Sequence, residues 1–221
     1  WISNAPDADV YTVFARTGEG AGARGVTAFV VEGGSAGLSG EHLELVAPHP
    51  IGSLTFDGVR VGRDAILGEP GRGFEVAMRT LDLFRPSVGA FAVGMAQAAL
   101  DAAVAHAAER HAFDRPLKDF QAISHRLADM ATKLEAARLL VYRAADTYDA
   151  GEPVTQASAM AKLFATETAQ EVVDAAIQVH GAQALEKGHL LEHLYREVRA
   201  TRIYEGTSEI QRNIVARSLF G

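Results

Sequence analysis

The sequence predicts an α+β fold, in which part of an antiparallel β-domain is followed by an antiparallel bundle of α-helices. Residues 1–67 contain short β-branched and aromatic runs interrupted by Gly and Pro, a pattern typical of antiparallel strands. A Gly-rich bridge covers residues 68–73. Beyond it the chain is rich in Ala, and apolar residues recur at intervals of three and four, as in amphipathic helices. We therefore predict two domains, 1–67 and 68–221.

In the first domain, residues 10–16 and 26–31 predict a β-hairpin across a Gly-rich turn. Three further strands are predicted at 43–46, 52–56 and 59–61. The turn contains Gly20-Ala21-Gly22-Ala23-Arg24-Gly25, which matches the GxGxxG pattern of dinucleotide-binding proteins. That pattern requires a helix after its glycines, whereas a second strand is predicted here, so we favour a hairpin turn.

The helical domain begins with an apolar run from 74 to about 111. Pro86 predicts a kink or break near residues 84 and 85, so one bent helix and two helices both remain open. A helix from 123 to the Gly-Glu-Pro sequence at 151–153 has the clearest apolar stripe. The remaining predicted helices span 155–179, with Thr155 as N-cap, 190–201 and 208–220. Amphipathic helices joined by short loops are typical of an antiparallel bundle.

The composition limits the possible classes of protein. The net charge of -7 and the absence of a basic block argue against a nucleic-acid partner. The lack of cysteine excludes disulfides and a Cys nucleophile, and it fits a reducing compartment, so we predict a cytoplasmic protein. The most apolar stretch, 88–100, is too short to span a bilayer, so we predict no membrane span. The chain starts at Trp1 instead of Met, which we interpret as a fragment.

Glu205 is the leading candidate for a catalytic residue. It lies between Tyr204 and Gly206, just before Ser208-x-x-Gln211, a capping-box pattern that predicts the start of a helix. A carboxylate in such a bend can point into a cleft, where partial burial would raise its pKa toward values useful for proton abstraction. The alternative is a loop acid placed at a helix N-terminus, where negative charge is favourable. From these residues alone, the loop acid is the favoured interpretation.

The sequence His189-Leu190-Leu191-Glu192-His193 matches the HxxEH pattern of one class of zinc peptidase, and Glu197 follows on the same helical face. Two imidazoles four residues apart on a helix can share a metal ion. However, the apolar stripe of the same segment explains it as a packed helix, and we favour that interpretation over a metal site.

Two other groups of residues that contain arginine have roles that the sequence leaves open. Asp82 and Arg85 are three residues apart, so they can form a salt bridge on a helix, or Arg85 can present its guanidinium to a phosphate-bearing ligand. Arg110 and Phe113, followed by Arg115, form a basic and aromatic loop that would suit a pyrophosphate group, although a solvated loop is the more frequent explanation of such a composition.

Taken in order, five segments resemble the acyl-CoA dehydrogenase family, and the resemblance extends over essentially the whole chain. They are Trp1-Ile2-Ser3-Asn4, Asp82-Leu83-Phe84-Arg85-Pro86, Arg110-His111-Ala112-Phe113 with Gln121, Gln178-Val179-His180-Gly181-Ala182 and Ile203-Tyr204-Glu205-Gly206-Thr207-Ser208. The last is the most specific signature of the family, and Glu205 stands at the position of its catalytic base. Phe84 stands where some members carry the base instead.

The resemblance implies FAD-dependent α,β-dehydrogenation of a fatty or short branched acyl-CoA to the trans-2-enoyl-CoA. Glu205 would remove the α-proton, its backbone N–H and a ribityl hydroxyl of the flavin would bind the thioester carbonyl, and the flavin would accept the hydride. Reduced flavin would pass electrons to an electron-transferring flavoprotein. The resemblance also implies a homodimer or homotetramer.

The resemblance further assigns binding roles to individual residues. The residues implied to contact FAD are Trp1, Ile2, Ser3, Arg110, Phe113, Gln121, Gln178, Gly181, Ala182, Thr207 and Glu209. Those implied to contact the substrate are Asp82, Arg85, Gly206 and Arg217. Ala182 departs from the family pattern, because many members have Gly there. An acyl-CoA oxidase of the same fold and a non-catalytic helical-bundle interaction subunit are the alternatives, and the sequence leaves open whether the fragment alone binds FAD.

Overall fold

The computed structural model describes residues 1–18 and 22–220. The chain forms two compact units, Trp1–Leu81 and Asp82–Gly221. Strands dominate the first unit and helices the second, as the predicted α+β fold requires. The predicted domain boundary after residue 67 stays a prediction.

Within its described residues, the first unit contains two antiparallel sheets of three strands each. The strands are β1 (Ile2–Ser3), β2 (Val10–Arg16), β3 (Val26–Glu32), β4 (Leu38–Leu43), β5 (Ile51–Phe56) and β6 (Ile66–Leu67). One sheet has the order β1-β5-β4 and the other has the order β2-β3-β6.

The predicted hairpin is confirmed, because β2 and β3 pair antiparallel with Tyr11 opposite Val31. Gly22 and Gly25 have φ angles of 68° and 85°, values that Gly adopts without steric cost in a turn. The segment that follows them is β3, not a helix, which agrees with a turn and not with a dinucleotide site. Gly20 and Ala21 of the GxGxxG match lie outside the described residues.

Two of the predicted strands are wrong. The strand expected at 43–46 instead occupies Leu38–Leu43, where Gly40 lies so close to β5 that an added Cβ would be 2.3 Å from the Ser53 carbonyl oxygen. Gly40 thus lies inside a strand, where the absence of a side chain permits close pairing. The strand expected at 59–61 does not form, and the chain there leads through a short 3-10 turn into β6.

The described part of the second unit is an assembly of helices with one small hairpin. Its elements are α1 (Gly73–Glu109, which starts in the first unit), β7 (His111–Ala112), β8 (Arg115–Pro116), α2 (Gln121–Asp149), α3 (Thr155–His180), α4 (Leu190–Thr201) and α5 (Ser208–Phe220). The predicted helices are confirmed, and the run containing Pro86 is one helix.

The core of the second unit lies where α1, α2, α3 and α4 meet. Buried alanines on these helices let the backbones approach closely, and larger side chains such as Leu134 and Val173 fill the remaining space. By length and composition, α1 could also cross a membrane, with half of its most apolar window buried in the protein. Its buried residues Ala92, Ala96 and Ala99 belong to this core, as expected for a central helix of a bundle.

Pro86 explains a contact between α1 and α3. Proline lacks an N–H, so the carbonyl of Asp82, four residues earlier, loses its donor within the helix. The hydroxyl of Ser158 on α3 donates to this carbonyl instead, with an oxygen–oxygen distance of 2.7 Å. Ser158 is fully buried, so the contact replaces a hydrogen bond that water cannot supply.

Candidate active site

Glu205 lies in a tight bend between α4 and α5. Its φ angle is 53°, in the left-handed region that residues with a side chain seldom adopt, and Gly206 follows with φ 93°. An added Cβ on Gly206 would lie 2.7 Å from the side-chain nitrogen of Gln211, so a larger residue would have to displace that side chain and adopt a strained φ angle. Two consecutive left-handed residues turn the chain sharply, and this conformation needs support from surrounding contacts.

Three buried side chains, which we call the carbonyl clamp, supply that support. Arg85 Nε donates to the Glu205 carbonyl oxygen at 3.3 Å, and Lys162 Nζ donates to the Gly206 carbonyl oxygen at 2.8 Å. Gln211 Nε2 donates to both oxygens, at 3.1 and 3.0 Å. All three side chains are at most 4% exposed. The clamp joins α1, α3 and α5 at the bend and fixes the direction of both peptide groups.

Helix α3 also fixes the start of α5. Glu167 accepts a hydrogen bond from the Ser208 hydroxyl and forms an ion pair with Arg202 at 2.8 Å. The predicted capping box is therefore wrong in detail. Ser208 is the first residue of α5, and the hydroxyl of the preceding Thr207 accepts from the Ile210 N–H at 3.4 Å. The Gln211 side chain bonds to carbonyls of the bend, so it does not complete a capping box.

The carboxyl group of Glu205 is half-buried in an environment with competing electrostatic effects. Burial raises its pKa above the ordinary value, and the positive charges of Lys162 and Arg85 act in the opposite direction. Among the described residues, its Oε2 atom is buried without a hydrogen-bond partner. Burial also raises the pKa of the neighbouring Tyr204 to about 12, so this phenol stays neutral at physiological pH. A desolvated carboxylate with one unpaired oxygen can accept a proton from a bound molecule.

Asp82 and Arg85 form the salt bridge that their spacing permits, with 3.0 Å between Arg85 Nη1 and Asp82 Oδ1. The other Asp82 oxygen accepts from Thr155, the first residue of α3, which is therefore not the N-cap that the sequence predicted. These contacts hold Arg85 against the Glu205 bend. Their predicted role in substrate binding stays a prediction.

A second group of predicted site residues lies at the other end of α1. Arg110 follows α1, and Phe113 is 91% exposed at the tip of the β7–β8 hairpin. Its ring packs edge-on against Phe120, which directly precedes Gln121 at the start of α2. These three predicted residues are therefore neighbours on an exposed surface.

The 178–182 segment lies beside this surface. His180, the last residue of α3, stacks on His106 of α1 with 4.2 Å between ring centroids. The Arg110 N–H donates to the carbonyl of His106, which links the two segments. Gln178, Gly181 and Ala182 are exposed there. Burial and the neighbouring His180 lower the pKa of His106, so His106 resists protonation.

The remaining predicted residues occupy separate places. Trp1, Ile2 and Ser3 are exposed at the start of the first unit, where Ile2 and Ser3 form β1. Thr207 and Glu209 lie at the N-terminal end of α5, beside the Glu205 bend, and Arg217 is exposed in its last turn. The roles predicted for these residues stay predictions.

The residues of the HxxEH pattern have structural partners. His189 caps α4, because its Nδ1 accepts from the Leu191 N–H, and Glu192 pairs with Arg196 at 2.6 Å. The apolar face of α4 is buried, as predicted. In the part of the chain that the structure describes, no group of three His, Asp or Glu side chains is arranged to hold a metal ion.

Sequence reasoning missed Lys162 and Glu167 on α3. A signal for Lys162 was present, because it falls on a stripe of buried positions spaced by three and four: Ala159, Lys162, Thr166, Ala169 and Val173. A lysine on such a stripe must have a polar partner inside the protein. Which partner it has cannot be read from the periodicity.

Comparison with known proteins places this arrangement in a family. The fold is shared with butyryl-CoA dehydrogenase from Megasphaera elsdenii, with a TM-score of 0.96 and 39% identity, over 99% of this chain and 58% of that one. The family described as acyl-CoA dehydrogenase, C-terminal domain, matches residues 71–220. The chain belongs to the acyl-CoA dehydrogenase family.

Two relatives are similar over nearly the whole chain. It is 45% identical to the mitochondrial short-chain specific acyl-CoA dehydrogenase of Bos taurus, covering 99% of this chain and 54% of that protein. It is 40% identical to subunit CarC of the caffeyl-CoA reductase-Etf complex of Acetobacterium woodii, covering 99% of this chain and 59% of that subunit. The chain thus spans little more than half the length of these relatives.

Proposed function

We propose that the full-length protein catalyses α,β-dehydrogenation of a fatty or short branched acyl-CoA to the trans-2-enoyl-CoA, with Glu205 as the base. The observation that carries this proposal is the buried, unpaired Oε2 of Glu205 in a bend held by the carbonyl clamp. The family to which the chain belongs supports the reaction class.

The α-proton of a saturated thioester is weakly acidic, so its removal needs a strong, correctly placed base. Burial strengthens Glu205 as a base by raising its pKa, while Lys162 and Arg85 limit this rise, so the carboxylate form remains accessible. The clamp holds the backbone on which the carboxylate is mounted. Such preorganisation lowers the barrier because the base does not have to be positioned during the reaction.

FAD is the proposed cofactor, and when bound it would supply the hydride acceptor for the β-carbon. The exposed surface around Arg110 fits a phosphate-bearing cofactor, because a guanidinium, an exposed aromatic ring and the start of α2 lie together there. The residues proposed to hold FAD are Trp1, Ile2, Ser3, Arg110, Phe113, Gln121, Gln178, Gly181, Ala182, Thr207 and Glu209.

Asp82, Arg85, Gly206 and Arg217 are the residues proposed to contact the substrate. For Arg85 the structure adds a second proposed role, since a guanidinium that holds the Glu205 carbonyl orients the base whether or not it touches coenzyme A. An electron-transferring flavoprotein is the proposed electron acceptor, and the relative that is a subunit of an Etf complex supports it. A homodimer or homotetramer in the cytoplasm completes the proposal.

The reverse reaction is a second candidate. One relative is a subunit of a caffeyl-CoA reductase complex, and a carboxyl group whose pKa is raised can donate a proton as well as accept one. In that direction Glu205 would protonate the α-carbon of a 2-enoyl thioester. Comparing the rates of acyl-CoA oxidation and enoyl-CoA reduction would separate the two directions, and hydrogen peroxide release would identify an oxidase.

The decisive experiment is anaerobic flavin reduction by acyl-CoA thioesters in the full-length protein. We expect Glu205→Gln to slow reduction by about 10²–10⁴-fold, the usual contribution of a general base. Glu171→Gln is the matched control, because Glu171 is an exposed acid on α3 that pairs with Lys133 at the surface. If acyl-CoA reduced the flavin of the Glu205→Gln variant as fast as that of the unmodified protein, the assignment of Glu205 as the base would be wrong.

A further inference from the structure

Lys162 is the largest side chain that is completely buried in the described part of the chain. It lies on α3, on the stripe of buried residues, and its ammonium group donates to the Gly206 carbonyl oxygen at 2.8 Å. Burying an ammonium group is costly unless it is compensated by hydrogen bonds or opposite charge. A position that retains such a group therefore requires an explanation other than the filling of space.

The electrostatic environment indicates what compensates it. Burial lowers the pKa of Lys162 to about 8, and the carboxylate of Glu205 opposes this effect more strongly than any other acid. Arg85 from α1 lowers the Lys162 pKa further, while Glu167 on α3 and Glu209 on α5 raise it. Conversely, Lys162 lowers the pKa of Glu205 more than Arg85 does. The two groups are thus each other's principal charge partners.

The hydrogen bond adds a geometric effect to this charge effect. Gly206 is the residue next to Glu205, and its left-handed conformation is held by hydrogen bonds to its carbonyl oxygen from Lys162 and Gln211. Gln211 bonds to both carbonyls of the bend and carries no charge. Lys162 therefore combines a hydrogen bond to the backbone of the bend with a positive charge that stabilises the ionised form of Glu205.

We propose that Lys162 is a positioning residue for proton transfer by Glu205: its ammonium group orients the bend through the Gly206 carbonyl and keeps the neighbouring carboxylate ionised. The inference rests on the proposed function, since it assigns Lys162 a part in that reaction. Lys162 itself exchanges no proton with the substrate in this scheme.

If Lys162 had only a structural role, replacing it would lower the activity only as far as it lowered the stability of the fold or the binding of FAD. Removing one partner of a buried charge pair is costly when the other charge stays buried and uncompensated, but Glu205 can avoid this cost by taking up a proton. Lys162→Met keeps nearly the same length without the charge, and Gln211 still donates to the Gly206 carbonyl oxygen. We therefore expect this variant to fold and to bind FAD like the unmodified protein, yet to react slowly.

The test uses the full-length, FAD-loaded protein and measures flavin reduction by a saturated acyl-CoA across a pH series. For Lys162→Met we expect reduction on the acid limb of the profile to be about tenfold slower at a given pH, which is one pKa unit expressed as a rate, with KM changed by less than about twofold. The acid limb of the profile should move to higher pH by about one unit or more, the usual effect of removing a nearby opposite charge. Lys187→Met is the control, because Lys187 is exposed on the loop before α4.

A second variant and a second readout keep the test independent of folding and of turnover. Lys162→Gln retains a donor without the charge, so it should restore part of the rate while keeping the shifted pH limb. The carboxyl band of Glu205, identified by infrared difference against Glu205→Gln, should titrate at higher pH in Lys162→Met. An unshifted band, or a rate loss that follows loss of FAD or of thermal stability, would overturn the proposal.

These outcomes separate the two levels of inference. If Glu205→Gln reacts at the unmodified rate, the proposed function fails, and the role of Lys162 in that reaction fails with it. If Glu205→Gln is inactive while Lys162→Met reacts normally with an unchanged pH profile, the proposed function stands and only the role of Lys162 is rejected.

Discussion

The hydrogen bond between Ser158 and the Asp82 carbonyl offers a sharp test of how α1 and α3 are joined. Pro86 leaves that carbonyl without a helical donor, and the Ser158 hydroxyl donates to it at 2.7 Å in a fully buried position. Ser158→Ala removes one oxygen atom and leaves the carbonyl unsatisfied. We expect the free energy of unfolding to fall by about 1–3 kcal/mol, the cost of a buried polar group without a partner.

A double-mutant cycle identifies the cause of this loss. Pro86→Ala restores an N–H that can reach the Asp82 carbonyl within the helix. In the Pro86→Ala background, Ser158→Ala should therefore cost at least about 1 kcal/mol less than it does alone, within the range of coupling energies for residues in contact. Urea unfolding of all four proteins, followed by circular dichroism, measures the four free energies.

Ser218→Ala is a suitable control. The Ser218 hydroxyl also donates to a helix carbonyl, that of Ile214 at 3.0 Å, but it is exposed on α5, where water can replace it. We expect a change within about 0.5 kcal/mol for this surface substitution. If Ser158→Ala costs the same in the unmodified protein as in the Pro86→Ala background, the contact does not compensate for the proline, and the reasoning is refuted.

Two further substitutions test the bend and the core. Gly206→Ala places a Cβ 2.7 Å from Gln211 Nε2 in a residue with φ 93°. We expect flavin reduction to slow at least about tenfold, and the free energy of unfolding to fall by about 1–2 kcal/mol from the strain of the left-handed backbone alone. Flavin reduction at the normal rate would argue against the role of the carbonyl clamp. Leu134→Ala truncates a side chain on α2 that is 2% exposed and belongs to the core. Urea unfolding should show a fall of about 2–5 kcal/mol in the free energy of unfolding. A fall below about 1 kcal/mol would contradict the packing of this residue in the core.

Local pattern was sufficient to predict most of the helices. The apolar stripes of α2 and α4, together with Gly151 just beyond the end of α2, predicted bounds close to those observed, because each signal lies within a few residues of the element it defines. The strands were predicted less well. Strand β4 depends on its partner β5, and Gly40 is required by that close pairing, so a local reading placed the strand too late in the sequence.

The candidate site shows the same division between local and distant information. The sequence around Glu205 predicted a bend and the start of a helix, and both are present. The contacts that hold the bend come from residues 120 and 44 positions away along the chain, Arg85 and Lys162. No periodicity links positions so far apart, and the Ser208–Gln211 pattern suggested a local capping box where α3 provides the contacts instead.

For the proposed role of Glu205 as the base, these distant contacts resolve a conflict between basicity and ionisation. Burial makes Glu205 a stronger base, yet the same burial favours the protonated form, which cannot accept a proton. Exposing the carboxylate to water would keep it ionised, but its pKa would fall to the ordinary value and it would be a weaker base. Placing Lys162 and Arg85 behind the bend lowers the pKa of Glu205 without exposing it. Because each cation also binds a carbonyl of the bend, one set of contacts determines both where the carboxylate points and how readily it is ionised.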